Sequence, residues 1–317
     1  MTTAPDTATA EAIAGFLRSL SGGIGSGLGP GAAAERAAAG LPGGLRNAVE
    51  RAVRRMRGDY DEDEWGFDEE FAEAVFPFFE FLYNQWWRVE ANGLANVPSH
   101  GRAMIVSNHA GAIFPFDASM ITGAIMKEHA LPRWPKFMVL NWAFVLPFLS
   151  AFMRRVGGMP ASPHNASRAL EQDNLVMVFP EGVKGTGKPF SERYRLQRFG
   201  RGGFVEVALR ARAPIVPVAV VGSEEIYPMI GNSRTLAGIV GAPFAPITPT
   251  FPWLGPLGLI PLPSKWRIEF CEPIDVSDHP ADAADDRRLV FDLSEQVRET
   301  IQEKIYENLV ARGSAFI

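Results

Sequence analysis

The chain has 317 residues, of which 47% are hydrophobic, with a formal net charge of -5 and a single cysteine, Cys271. That length and apolar share suffice for one large domain plus a tail, or for two small domains, while the mildly negative charge gives no footing for nucleic acid. One cysteine excludes an intrachain disulfide framework and a cysteine-based zinc site, and fits a reducing compartment.

The first 44 residues are dominated by Ala, Gly, Thr and Pro, with SGGIGSGLGPG at 21–31. Such a stretch buries little apolar surface and is expected to be disordered or loosely helical. It lacks a basic start followed by an apolar core, so no secretory signal is expected. Residues 45–57, LRNAVERAVRRMR, differ: Leu45, Val49, Val53 and Met56 share one helical face and arginines surround it. This is the pattern of a basic amphipathic helix, suited to anionic lipid surfaces and equally to an ordinary solvated helix end. An acidic patch at 59–64 follows. Residues 1–58 therefore read as a tail and residues 59–317 as a single domain.

Residues 65–87 are crowded with aromatics and contain Pro77. They predict a helix bent at the proline, its wide apolar side packed in the core in preference to a lipid interface. A strand at 87–90 and a turn at 93–98 lead to Ala103-Met104-Ile105-Val106, a branched apolar run that reads as a buried strand. That run ends in Ser107-Asn108-His109, then a loop with Gly111 and Pro115, then Phe116-Asp117. Polar residues at the end of a buried strand are where α/β sheets place chemistry. A histidine can accept a proton near neutral pH, and an aspartate within reach can fix its tautomer. A histidine capping the next helix, with an aspartate at that helix's start, would look the same.

Downstream, apolar strands at 136–140, 175–179, 215–221 and 266–270 alternate with helical patterns at 118–128, 142–154, 165–172 and 203–210. The alternation predicts an α/β fold, a central largely parallel or mixed sheet with helices on both faces. The longest uncharged apolar run, 137–153, is short for a membrane span and carries Asn141, Pro147 and Ser150, so it reads first as a buried strand and helix and second as a membrane-contacting surface. Residues 243–263, PFAPITPTFPWLGPLGLIPLP, hold too many prolines for a helix or central strand and predict a long, greasy loop. An amphipathic helix over 285–312 closes the chain.

A second chemical stretch, VFPEGVKGTGKPFSERYRLQRFGRGG at 178–203, runs from an apolar strand into glycines and cations. Gly182, Gly185 and Gly187 let backbone approach an anion closely, and Lys184, Lys188, Arg193, Arg195, Arg198 and Arg201 supply charge for a phosphate-bearing ligand. The segment has P-loop spacing up to Lys188, but Pro189 stands where that motif needs a magnesium-binding hydroxyl. No Gly-x-Ser-x-Gly elbow is present, which disfavours a serine hydrolase. The histidines show no metal-ligand spacing, and no metal site is expected.

Asn108-His109 with Asp117, then Phe179-Pro180-Glu181-Gly182, then Ala213-Pro214-Ile215-Val216-Pro217-Val218 together resemble three blocks of the glycerolipid acyltransferases, which include the lysophosphatidate acyltransferases. The resemblance spans roughly residues 87–275. It implies one transfer step, in which His109 deprotonates an acceptor hydroxyl that attacks the thioester of acyl-CoA or acyl carrier protein, with Asp117 orienting His109. It further implies that Asn108, Glu181, Gly182 and Lys184 serve substrate binding, with lysine at a position where arginine is usual. The acyl donor is then a substrate, and no cofactor is expected. The expected partners are glycerolipid substrates and a membrane surface, approached peripherally from the cytoplasmic face.

Two departures from the family pattern stand out. Seven residues, AGAIFPF, separate His109 from Asp117 where four are usual, so the connection either bulges with the pair in reach or separates it. The family's arginine for the acceptor phosphate has no clean match, and Arg154, Arg155 and Arg168 are all candidate substitutes; Arg201, in the second stretch, counts among the substrate-binding cations. A phosphate-bearing and a neutral glycerolipid acceptor both fit. A hydrolase using His109 on water, or a non-catalytic lipid-binding relative, are the other readings.

Overall fold

A computed structural model describes residues 7–41, 43, 46, 49, 50, 53, 54, 62–145, 147–233, 235, 237, 238, 241 and 243–315. The chain divides into two compact units, Met1–Glu62 and Asp63–Ile317. In the first, helices α1 (Thr7–Gly25) and α2 (Pro30–Ala38) occupy sequence for which disorder or loose helix was expected. Alanine is the strongest helix former, and Pro30 sits in the first turn, where its missing N–H costs nothing. Most of the basic helix expected at 45–57 lies outside the described residues.

In the second unit, α3 (Glu69–Phe81) starts later than the aromatic pattern implied, because Asp68 caps it by accepting the Phe71 N–H at 2.8 Å. The helix contains Pro77 and runs on into one wide turn at Leu82–Trp86. The strand expected at 87–90 does not form there. Arg88 takes φ +44°, turning the chain, and Trp87 is buried with its ring stacked on Trp266 at 4.9 Å. Pairing begins only at β1 (Glu90–Asn92).

The order continues with β2 (Ala103–Ser107), α4 (Asp117–Glu128), β3 (Lys136–Val139), a 3-10 turn at Asn141–Phe144 and α5 (Pro147–Arg155). The single helix expected at 142–154 is thus split, with Pro147 opening the second piece. A strand that the sequence did not signal, β4 (Gly158–Pro160), follows. Then come α6 (Pro163–Glu171), β5 (Leu175–Val178), α7 (Gly203–Ala211), β6 (Ile215–Val221), a two-strand pair β7 (Gly231–Asn232) and β8 (Pro246–Ile247), β9 (Arg267–Phe270) and α8 (Arg287–Arg312).

The main sheet has the order β1-β9-β6-β2-β5-β3-β4. Strands β2 to β6 are mutually parallel; β9 runs antiparallel to β6, and β1 parallel to β9. β2 lies between β6 and β5 and is buried throughout. Alternation along it splits the core: Met104 and Val106 join one apolar cluster with α6, α7 and α8, whereas Ala103 and Ile105 join another with α4, Trp87 and Trp266. Helices therefore cover both faces, and the carboxyl ends of β2, β3, β5 and β6 meet at one end of the sheet.

Candidate active site

Asn108 and His109 leave β2 at that end. Asn108 is buried, and its amide donates to the Val220 carbonyl at 2.9 Å and accepts the Val220 N–H at 2.8 Å. It continues the β2–β6 ladder with a side chain, so it fixes where His109 emerges.

The His109 ring holds Nδ1 at 3.0 Å from Asp117 Oδ2. Asp117 is the first residue of α4 and is wholly buried, and the same oxygen accepts the Ala110 N–H at 2.8 Å. A carboxylate accepts, so Nδ1 carries the ring proton and Nε2 keeps its lone pair. The seven intervening residues bulge without parting the pair: Gly111 turns the chain at φ +90°, and Phe114 projects into solvent. Phe179 stacks on the imidazole with centroids 4.4 Å apart, fixing the plane of the ring. The His109 side chain remains 15% exposed.

Glu181 occupies a different place from the one its motif implied. It is buried, accepting the His109 main-chain N–H on Oε1 at 2.9 Å and the Gln197 N–H on Oε2 at 2.6 Å. It holds the histidine's backbone, and both of its oxygens are engaged by main-chain N–H groups. Burial pushes its carboxyl above the ordinary carboxylate range, opposed first by Lys188. Lys188, expected among the phosphate-binding cations, is turned inward instead. Its Nζ lies 3.8 Å from Glu181 Oε2 and donates to Glu224 Oε1 at 2.8 Å and to the Arg195 carbonyl at 2.9 Å. A charge this deep needs a counter-charge, and two carboxylates supply it. Glu224 also accepts the Tyr194 N–H at 2.6 Å. Sequence reasoning missed Glu224; the signal was a polar Gly-Ser-Glu-Glu directly after the apolar β6, at the same sheet end as Asn-His.

Gly182 adopts φ +52°, ψ -138°, a backbone region essentially reserved for glycine, and opens the single helical turn Val183–Thr186. Gly185 packs so closely beneath the histidine that a Cβ would stand 2.6 Å from the His109 carbonyl oxygen. Lys184, Arg195, Arg198 and Arg201 are exposed on the same connection between β5 and α7, which leaves the sheet at the end carrying His109. Arg154 and Arg155 are not brought there. They close α5 and precede β4, which runs parallel to β3 and β5, so their main chain lies toward the opposite end of the sheet from His109. Their guanidinium groups rest over the rings of Phe144 and Phe71. Arg168, on the exposed side of α6, pairs with Glu64 at 2.6 Å. No cluster of metal-ligating side chains occurs among the described residues.

A family model described as acyltransferase matches residues 88–221. An uncharacterised protein of Mycobacterium leprae is 49% identical over 264 residues, covering 83% of this chain and 72% of its own length. A Bos taurus protein called DGAT1/2-independent enzyme synthesizing storage lipids is 25% identical over 170 residues, covering 53% of this chain and 49% of its own. The crystal structure of the 1-acyl-sn-glycerophosphate acyltransferase PlsC from Thermotoga maritima has the same fold, with a TM-score of 0.50 at 17% identity over 75% of this chain and 80% of that one.

Proposed function

The chain belongs to the acyltransferase family, and from that premise we propose that it moves a fatty acyl group from acyl-CoA or acyl carrier protein to the hydroxyl of a glycerolipid such as lysophosphatidate. His109 Nε2 takes the hydroxyl proton as the oxygen attacks the thioester carbonyl. The new C–O bond forms, the C–S bond breaks, and the imidazolium returns its proton to the departing sulfur. Asp117 keeps the ring in the required tautomer and steadies its transient charge. A thioester is already activated, so the step calls for neither a covalent intermediate nor a cofactor. Lys184 and Arg201 offer charge to a phosphate on the acceptor or donor, and Gly182 lets that group approach the backbone.

The observation that carries this reading is the 3.0 Å contact between His109 Nδ1 and Asp117 Oδ2, which leaves Nε2 to take the hydroxyl proton. In this reading the protein works peripherally at the cytoplasmic face of a membrane; among the described residues no helix is long and apolar enough to cross one.

A neutral acceptor such as mono- or diacylglycerol is a second reading. The main chain of Arg154 and Arg155 at the end of α5, toward the opposite end of the sheet from His109, favours it. The Bos taurus relative is named for storage lipids, which agrees.

The test is a labelled acyl-CoA assay over glycerol 3-phosphate, lysophosphatidate, other lysophospholipids, monoacylglycerol and diacylglycerol, with wild type and His109→Ala. Acceptor-dependent transfer lost in His109→Ala supports the proposal. Donor consumption that needs no acceptor points to a hydrolase, and transfer undiminished in the variant overturns the mechanism.

A further inference from the structure

The connection from β6 to β9 leaves and re-enters the sheet at the end where His109 lies, because β6 is parallel to β2 and β9 antiparallel to β6. Its base is fastened to the site. The Phe190 N–H donates to the Met229 carbonyl at 2.8 Å, the Tyr227 hydroxyl to the Leu259 carbonyl at 2.6 Å, and Trp86 Nε1 to the Pro261 carbonyl at 3.0 Å.

Its outer part, residues 248–258, is held by its own bonds. The Phe251 N–H donates to Thr248 Oγ1 at 2.8 Å, the Thr248 N–H to the Phe251 carbonyl at 2.8 Å, and the Leu254 N–H to the Thr250 carbonyl at 2.9 Å. Gly258 packs so tightly that a Cβ would stand 2.6 Å from the Thr250 carbonyl oxygen. This fixed spur nevertheless leaves Trp253, Leu254, Leu257 and Ile260 each more than half exposed. No charged residue occurs anywhere in 243–263.

We infer that the spur enters a lipid bilayer beside the active site. The inference rests on the reading of the site as one that acts on lipids, and it names the surface that meets them. Three observations select a bilayer as the occupant. A rigid uncharged tip bearing an indole and branched chains suits the boundary between head groups and acyl chains. Val145 and Phe148, 77% and 92% exposed, follow β3 at the same sheet end. With the β2 histidine lying between β6 and β3 in the sheet order, apolar groups flank the site on two sides, as an extended apolar phase would meet them. Exposed Lys184, Arg198 and Arg201 lie at the same end and complement anionic head groups.

The experiment is sedimentation of the full chain with phosphatidylcholine vesicles with and without phosphatidylglycerol, read without turnover, so that failure of acyl transfer leaves it intact and the reverse. Wild type should bind, and bind more tightly with phosphatidylglycerol present. The triple variant Trp253→Ser, Leu254→Ser, Leu257→Ser should partition about tenfold less or weaker still, with an unchanged urea midpoint showing that it folds. Brominated lipids should quench wild-type tryptophan fluorescence more than that of Trp253→Ser. Equal binding by wild type and triple variant, equal quenching, or absence of wild-type binding would overturn the inference. So would a wild-type dimer in analytical ultracentrifugation that the triple variant dissolves, since the patch would then be covered by a second copy.

Discussion

At the scale of single residues, the site is a histidine held at two points: its ring by Asp117 and its backbone by Glu181. Removing the base in His109→Ala should lower kcat by about a hundred- to ten-thousandfold with little change in donor KM, measured with labelled donor. Asp117→Asn should also lower kcat, because an amide can place its N–H rather than its oxygen against Nδ1 and so favour the wrong tautomer. The buried carboxylates make a prediction about pH. Burial pushes Glu224 from 4.5 up to about 7, against the pull of Lys188. Between those values the folded protein holds a proton that the unfolded chain has released, so stability falls as pH rises through that window. Glu181 is shifted in the same direction and adds to the fall. The urea midpoint should therefore be lower at about pH 8 than at about pH 5, and the drop should shrink in Glu224→Gln.

At the scale of elements, the turn that carries Glu181 and Lys184 works by being thin. A methyl group at Gly185 would collide with the His109 carbonyl oxygen and the Glu181 Cβ, both backbone or near-backbone atoms that cannot swing away. Gly185→Ala should cost about 1–3 kcal/mol in urea unfolding, as overpacking generally does, and should lower kcat through displacement of the histidine. The closing helix α8 illustrates the opposite case. Val290, Leu293, Val297, Ile301 and Ile305 repeat at helical spacing and are all buried, so its role was readable from period alone. Ile301→Ala should cost about 2–5 kcal/mol by the same measurement, with the catalytic pair untouched.

At the scale of the whole sheet-bearing unit, one buried ion pair joins distant stretches. Arg312, in the last turn of α8, clasps Glu225 with Nη2 at 2.6 Å from Oε1 and Nη1 at 2.8 Å from Oε2. Tyr194 and Ser264 donate their hydroxyls to the same carboxylate. The connection after β5, the turn after β6, the return into β9 and the final helix thus meet on one side chain. Arg312→Ala would strand that carboxylate and should destabilise by about 3–5 kcal/mol, whereas Arg210→Ala, which breaks a pair exposed on both sides, should change stability by about 1 kcal/mol at most.

The order of strands and helices, the two faces of the core and the loops that carry chemistry were legible in the sequence by itself. Strand alternation and helical period are local, set by residues two to four positions apart, and β2, β5, β6 and α8 display them cleanly. Besides the unsignalled β4 and the helices α1 and α2, two exceptions have local causes that a periodic pattern does not carry: the left-handed Arg88 that delays β1, and Pro147, which splits one expected helix in two. Only the tertiary structure decided how the chemical residues are used. His109 and Glu181 are 72 residues apart in the chain, and their contact exists because β5 lies next to β2 in the sheet. The same packing turned Lys188 inward, laid Arg154 and Arg155 over the rings of Phe144 and Phe71, and let the long loop bulge with the His109–Asp117 pair intact. Residue type announces what a side chain can do, but strand order and burial determine which partner it meets and whether any of it is left to face a substrate.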